Sequence, residues 1–134
     1  MEIRFASAED LSLLRTHDKH IAYDALQDKI AAQQVLILWD EQQLAGWLRW
    51  NLFWDEIPFM NMLYLLEPYR GKGYGRLLVE DWERRCAQAG YHTVMTSTQA
   101  NECAQFFYRH MDYRDVGAFA LPDDPLELIL SKAL

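Results

Sequence analysis

The stretch YRGKGYG at positions 69–75 constrains the fold more than any other, because glycines 71, 73 and 75 stand at alternate positions beside Arg70, Lys72 and Arg76. Such a loop leaves its backbone N–H groups open to an approaching anion, and few other loops need that composition. Upstream, residues 59–66 are almost wholly apolar and are followed by Glu67 and Pro68, so they read as a buried strand ended by a residue that cannot extend a ladder. Downstream, residues 76–89 carry Leu78, Trp82, Cys86 and Ala89 at helical spacing. Glu80/Arg84 and Asp81/Arg85 are i,i+4 pairs there, and Gly90 supplies the stop. Strand, glycine loop and helix N-terminus make an anion site: unpaired N–H groups and the positive dipole end face one point. Charge-assisted bonds of about 1.5–3 kcal/mol each then favour a phosphate there.

Spacing narrows the phosphate ligand. A Walker A loop needs Ser or Thr after its Gly-Lys, and here Lys72 is followed by Gly73. A dinucleotide fingerprint starting at Gly71 needs glycine where Arg76 stands. What remains is R-x-x-G-x-G, carried by Arg70, Gly73 and Gly75, a pattern that also suits a tight strand-to-helix turn with solvated basic residues.

A chain of 134 residues makes one domain, long enough to bury about two-thirds of its unfolded surface. Its longest apolar runs fall well short of the ~20 residues a membrane span needs, so a soluble protein with no membrane partner is expected. The N-terminus, MEIRFASAEDL, has acidic residues and no apolar h-region, which predicts no secretory signal and a cytoplasmic location. Cys86 and Cys103 sit in helical patterns without CxxC or His spacing, so they read as buried free thiols rather than a disulfide or a metal site. His17 and His20 flank Asp18 and read as exposed helix-end residues rather than metal ligands. Net charge is −7, from 20 acidic and 13 basic residues, which argues against nucleic acid as a partner. It leaves room for an anionic cofactor, because screening over about 8 Å lets the local cluster Arg70, Lys72 and Arg76 decide what the loop attracts. An acidic remainder suits a cationic second substrate.

Along the chain, residues 2–6 alternate as a half-buried strand, and Ser7 with Asp10 forms a capping arrangement opening a helix to about residue 15. A second helix covers about 22–33, with Leu26 and Ile30 on its face. Residues 35–39 and 44–54 read as a hairpin around a polar turn at 40–43, followed by a second turn at 55–58. Trp47, Trp50, Phe53 and Trp54 fall on both parities, which places the second strand inside the sheet and its tryptophans in the core. Asn61, a lone amide in an apolar run, needs a partner or faces a ligand cavity. Residues 92–98 predict a strand, 101–111 a helix, and 113–121 and 126–130 two more strands. The order implies an α/β, or α+β, mixed sheet with helices packed on it.

The loop pattern of Arg70, Gly73 and Gly75 resembles the pyrophosphate loop of the GNAT superfamily of acyl-CoA N-acyltransferases, and the element order resembles that superfamily over the whole of residues 1–134. The resemblance implies a GNAT-like fold in a single domain, with acetyl-CoA as cosubstrate and no metal. It places the pantetheine arm and thioester on the backbone of Tyr64, Leu65 and Leu66, and the pyrophosphate on Arg70, Gly71, Lys72, Gly73, Tyr74, Gly75 and Arg76. It implies a cofactor contact from Asn101, at the start of the next helix, and a general acid at Tyr108. The tyrosine's usual phrase, FYxxxGF, is matched by Phe107, Tyr108, Met111, Asp112 and Tyr113, with Asp112 in place of the glycine, which strains the helix exit. Asn101 as a plain N-cap and Tyr108 as a core aromatic are the bland alternatives.

Attack of an amine on a thioester builds negative charge on the carbonyl oxygen and expels a thiolate, so the site needs an N–H donor and an acid near the sulfur. A tyrosine of pKa about 10 faces a thiol of about 8.5, an uphill transfer of roughly 2 kcal/mol unless concerted with bond cleavage. Some relatives carry a glutamate five residues before the asparagine. Here that position is Thr96, which leaves the base unassigned among Glu67, Asp55, Glu56 and water. The leading reading is an N-acetyltransferase for an amine of a small molecule or peptide, with room for a homodimer. The alternatives are a CoA-binding or sensor protein without turnover, and an interaction protein with a vestigial loop.

Overall fold

Apolar residues on both parities of 35–50 dictate a hairpin that must be covered on two faces. It forms strands β2 (Val35–Asp40) and β3 (Gln43–Phe53), which join β1 (Glu2–Phe5), β4 (Ile57–Leu65), β5 (Thr93–Gln99), β6 (Arg114–Phe119) and β7 (Glu127–Ala133). The seven strands make one sheet of order β1-β2-β3-β4-β5-β7-β6. The helices are α1 (Leu11–His17), α2 (Tyr23–Ala31), α3 (Tyr74–Gln88) and α4 (Ala104–His110). The computed structural model describes every residue, 1–134. The sheet is mixed, as expected: β4 and β5 run parallel, in register at Phe59↔Met95 and Met60↔Thr96, and β1–β2, β2–β3, β5–β7 and β6–β7 are antiparallel. No helix is long and apolar enough to cross a membrane.

The chain divides into two compact units, Met1–Trp50 with Met62–Trp82 and Asn51–Asn61 with Glu83–Leu134. In the first, Leu11 and Leu14 of α1 and Leu26 and Ile30 of α2 pack with Val35, Ile37, Trp39, Leu44 and Trp47. Leu36, Leu38 and Leu48 alternate to the other face and are fully buried too. There Trp50 meets Trp82 of α3 with ring centres 6.1 Å apart. The Asp10 carboxylate accepts the Ser7 N–H at 2.8 Å and the Ser7 hydroxyl at 3.1 Å, so the predicted capping arrangement forms in a short turn ahead of α1.

Between α1 and α2 the chain is held by a buried ion pair. The Asp18 carboxylate, with no exposed side-chain surface, accepts Arg49 Nε at 2.7 Å, Trp47 Nε1 at 3.1 Å and the His20 backbone N–H at 3.1 Å. Arg49 is itself 6% exposed, so removing the carboxylate strands a charge in the interior. Asp18→Ala is expected to cost about 3–5 kcal/mol, read as a lower denaturant midpoint. An unchanged midpoint would mean that water replaces the carboxylate at no cost.

In the second unit β7 lies between β5 and β6, its register running from Thr93↔Ala133 to Gln99↔Glu127. Val94, Thr96 and Thr98 alternate inward. The Glu83 carboxylate accepts the Tyr113 hydroxyl at 2.8 Å and Lys132 Nζ at 2.9 Å, which holds the end of α3 to β7. Gly90 takes φ +98°, and the N–H of Tyr91 bonds the Cys86 carbonyl at 3.1 Å, the C-terminal stop that the sequence predicts.

Four expectations change. Trp54 is 74% exposed, because with Asp55 it takes positive φ at the tip of the β3–β4 turn instead of continuing the strand. Pro58 lies inside β4 rather than in the turn, near its start, where a missing donor is tolerated. Asn61 is exposed, so its amide needs no buried partner. Cys86 is buried as expected, its thiol pushed up to about 12 first by burial and then by Glu83, whereas Cys103 is exposed in the turn before α4.

Candidate active site

The glycine loop is built by what precedes it. Residues 67–69 form a single tight turn with Pro68 inside it, closed by the Tyr69 N–H on the Leu66 carbonyl at 2.9 Å. The Tyr69 hydroxyl then donates to Asp40 Oδ2 at 2.9 Å, a bond that raises the tyrosine's pKa and ties the turn to the β2–β3 hairpin. Gly71 and Gly73 take φ +71° and +86°, the left-handed region that only glycine enters without strain. α3 begins at Tyr74, two residues earlier than its apolar spacing suggests. No N–H from residue 71 to residue 76 donates to a backbone carbonyl, and the first such bond is Leu77 N–H to Gly73 O at 3.1 Å. A Cβ added at Gly71 or Gly73 would meet nothing within 4 Å, so the space beside both glycines is open. Unspent donors, a helix N-terminus and open space together fit a phosphate.

The three cations of the loop do different work. Arg76 Nε bonds Glu80 at 2.7 Å along the exposed side of α3. Arg70 Nε bonds the Leu65 carbonyl at 2.8 Å, and Lys72 is exposed. The end of β4 is equally specified. A Cβ at Gly46 would come within 2.5 Å of the Tyr64 carbonyl oxygen and 2.6 Å of Leu65 Cδ2, so only glycine lets β3 approach so closely. The Leu66 N–H donates to the Ala45 carbonyl at 2.9 Å just beyond. Tyr64, Leu65, Leu66 and residues 70–76 are thus one continuous segment of the first unit.

Tyr108 and Asn101 belong to the second unit. Tyr108 is 7% exposed, its ring edge-on to Phe107 at 5.2 Å and to Tyr113 at 5.6 Å. Burial pushes its hydroxyl up to about 12, a hydrogen bond with Thr96 acts against that rise, and Glu102 adds to it. Thr96 Oγ1 also donates to the carbonyl of Met60 at 3.0 Å. Position 96, read from sequence only as a missing glutamate, is therefore the hydroxyl next to the candidate acid. Nothing but a buried threonine in an alternating strand signalled it. Asn101 is not on the helix: α4 starts at Ala104, because Gln105 Nε2 bonds the carbonyls of Ala100 and Glu102 at 2.9 and 2.8 Å and holds the preceding residues as a turn. Asp112 takes φ +71°, the left-handed helix exit expected of a residue in a glycine's place. Glu67, Asp55 and Glu56 are all exposed.

A glycine loop running from a strand into a helix N-terminus on a seven-stranded mixed sheet defines an α/β fold with a loop open to solvent. The chain belongs to the acetyltransferase (GNAT) family, whose family model matches residues 5–113 of the 134. Among curated proteins no sequence matches it. Solved structures of similar fold include the ribosomal-protein-alanine N-acetyltransferase from Brucella melitensis, 17% identical over 100% of both chains with a TM-score of 0.82. Another is yncA, a putative acetyltransferase from Salmonella typhimurium with acetyl-CoA bound, 15% identical over 99% of this chain and 93% of that one, TM-score 0.81. Arabidopsis thaliana Naa50, in complex with the bisubstrate analogue CoA-Ac-MVNAL, is 18% identical over 99% and 98%, TM-score 0.78.

Proposed function

We propose that this chain is an acetyl-CoA-dependent N-acetyltransferase acting on the amine of a small molecule or a peptide. The observation that carries the reading is the run of N–H groups over residues 71–76 left without backbone acceptors, in a member of this family. In this reading Gly71, Lys72, Gly73, Tyr74, Gly75 and Arg76 bind the pyrophosphate, the backbone of Tyr64, Leu65 and Leu66 holds the pantetheine arm, and Asn101 adds a contact from its turn. The amine nitrogen attacks the thioester carbonyl and the C–S bond breaks. The departing sulfur takes the Tyr108 proton, the surplus proton of the amine leaves to water, and solvent reprotonates the phenol. With the hydroxyl pushed up to about 12, stepwise transfer to a thiolate of pKa about 8.5 is uphill by about 5 kcal/mol, so transfer is concerted with cleavage.

The pH dependence follows from the same values. A primary amine of pKa about 10.4 is almost wholly protonated at neutral pH, and Glu67, Asp55 and Glu56 all lie exposed to solvent. kcat/KM is expected to rise with pH towards the amine's own pKa. Tyr108, raised rather than lowered, stays protonated over that range and contributes no falling limb below about 12. A plateau near neutral pH that disappears on substituting Glu67, Asp55 or Glu56 would name that residue as the base instead.

One observation favours a second reading, a CoA-binding sensor without turnover: Tyr108 is only 7% exposed, and such burial weakens a phenol as an acid. Thiol release from acetyl-CoA, screened against amines, polyamines, aminoglycosides and peptides, separates the two. Peptide amines belong in the panel because the Arabidopsis protein was captured with CoA-Ac-MVNAL. Amine-dependent release supports the transferase, and saturable acetyl-CoA binding with no release against any class supports the sensor.

A further inference from the structure

Arg70 opens the R-x-x-G-x-G pattern, and its contacts lie along β4 rather than along the loop. Its Nε donates to the Leu65 carbonyl at 2.8 Å, and its guanidinium carbon sits 5.1 Å from the centre of the Tyr64 ring. That ring is not loose: it stacks on Trp47 with centres 4.8 Å apart and planes 30° from parallel. Trp47 is fixed in turn by its Nε1 bond to Asp18, the buried partner of Arg49. Gly46 admits the Tyr64 carbonyl closely enough for β4 to lie in this position. A guanidinium that spends Nε on one carbonyl has its plane fixed by that bond, and what it fixes in return is the strand end.

We propose that Arg70 is a positioning residue that holds the Tyr64–Leu65 end of β4 for the thioester arm, and that it does not act as a phosphate-binding cation. The inference rests on the acyl-CoA reading above and assigns the negative charge of the cofactor to the loop's N–H groups, Lys72 and Arg76. It separates two halves of one ligand: the pantetheine arm depends on Arg70, and the nucleotide half does not.

Calorimetric titration with two fragments tests it without an acceptor. S-acetylpantetheine lacks the pyrophosphate and nucleotide, and 3′-phosphoadenosine diphosphate lacks the arm. In Arg70→Gln, affinity for S-acetylpantetheine is expected to fall by about 10-fold or more, because the Tyr64–Leu65 strand end loses its tether, with affinity for the nucleotide unchanged. Arg70→Lys, which keeps the charge but not the planar Nε–H donor, is expected to behave like Arg70→Gln. The proposal is overturned if the nucleotide half loses affinity in Arg70→Gln, alone or together with the arm, or if Arg70→Lys binds both fragments as the wild type does. If the wild-type chain binds neither fragment nor acetyl-CoA, the acyl-CoA reading itself fails, a result distinct from either.

Discussion

Replacing Tyr108 with Phe is expected to lower kcat by about 10²–10⁴ and leave acetyl-CoA affinity unchanged. The substitution isolates the hydroxyl, because the ring contacts with Phe107 and Tyr113 persist in phenylalanine. Thr96 keeps its bond to the Met60 carbonyl, so β4 and β5 stay in register at that point. The fold therefore has little reason to change, and a loss of rate reports chemistry. Turnover at the wild-type rate in Tyr108→Phe would return the residue to the core as a buried aromatic and leave the departing thiolate to water.

The second large effect belongs to Gly73. Gly73→Leu is expected to lower acetyl-CoA affinity by at least about 100-fold, the equivalent of two lost charge-assisted hydrogen bonds. Two costs are mixed in that variant. An L-residue at φ +86° pays roughly 1–2 kcal/mol of backbone strain, and the side chain fills space that is open above the loop. Gly73→Ala carries the strain with little of the volume, so it separates them: alanine should bind better than leucine if blocking dominates and equally poorly if loop geometry dominates. A Cβ there meets no atom within 4 Å, so the loss of stability is limited to that backbone strain, and affinity is compared in the folded protein. Unchanged affinity in a folded Gly73→Leu variant would place the anion elsewhere.

What the sequence made legible was local and periodic. Alternate glycines beside basic residues mark positive φ and open N–H groups, and Gly71 and Gly73 adopt them. Trp47 and Trp50 on both parities marked β3 as an inner strand, and it lies between β2 and β4. Gly90 stopped α3, as its conformational freedom suggests, and Asp112 took the left-handed exit at the position where the family resemblance puts a glycine. What stayed hidden depends on partners distant in sequence. Asp18 and Arg49 are 31 positions apart, and neither residue type in its local setting announces a buried pair. Gly46 looks like any glycine in a strand until the Tyr64 carbonyl is seen 2.5 Å from its missing Cβ. The late start of α4 turns on one glutamine, Gln105, whose amide satisfies the turn carbonyls that a helix beginning at Asn101 would otherwise use.

Acetyl transfer with Tyr108 as the acid is read out by counting thiol released and acetylated amine formed together, in wild type and in Tyr108→Phe at matched acetyl-CoA saturation. One acetylated amine per thiol is expected in the wild type, and a fall of about 10²–10⁴ in both products for the variant. Thiol release without an acetylated amine, or equal product from the two proteins, would contradict it.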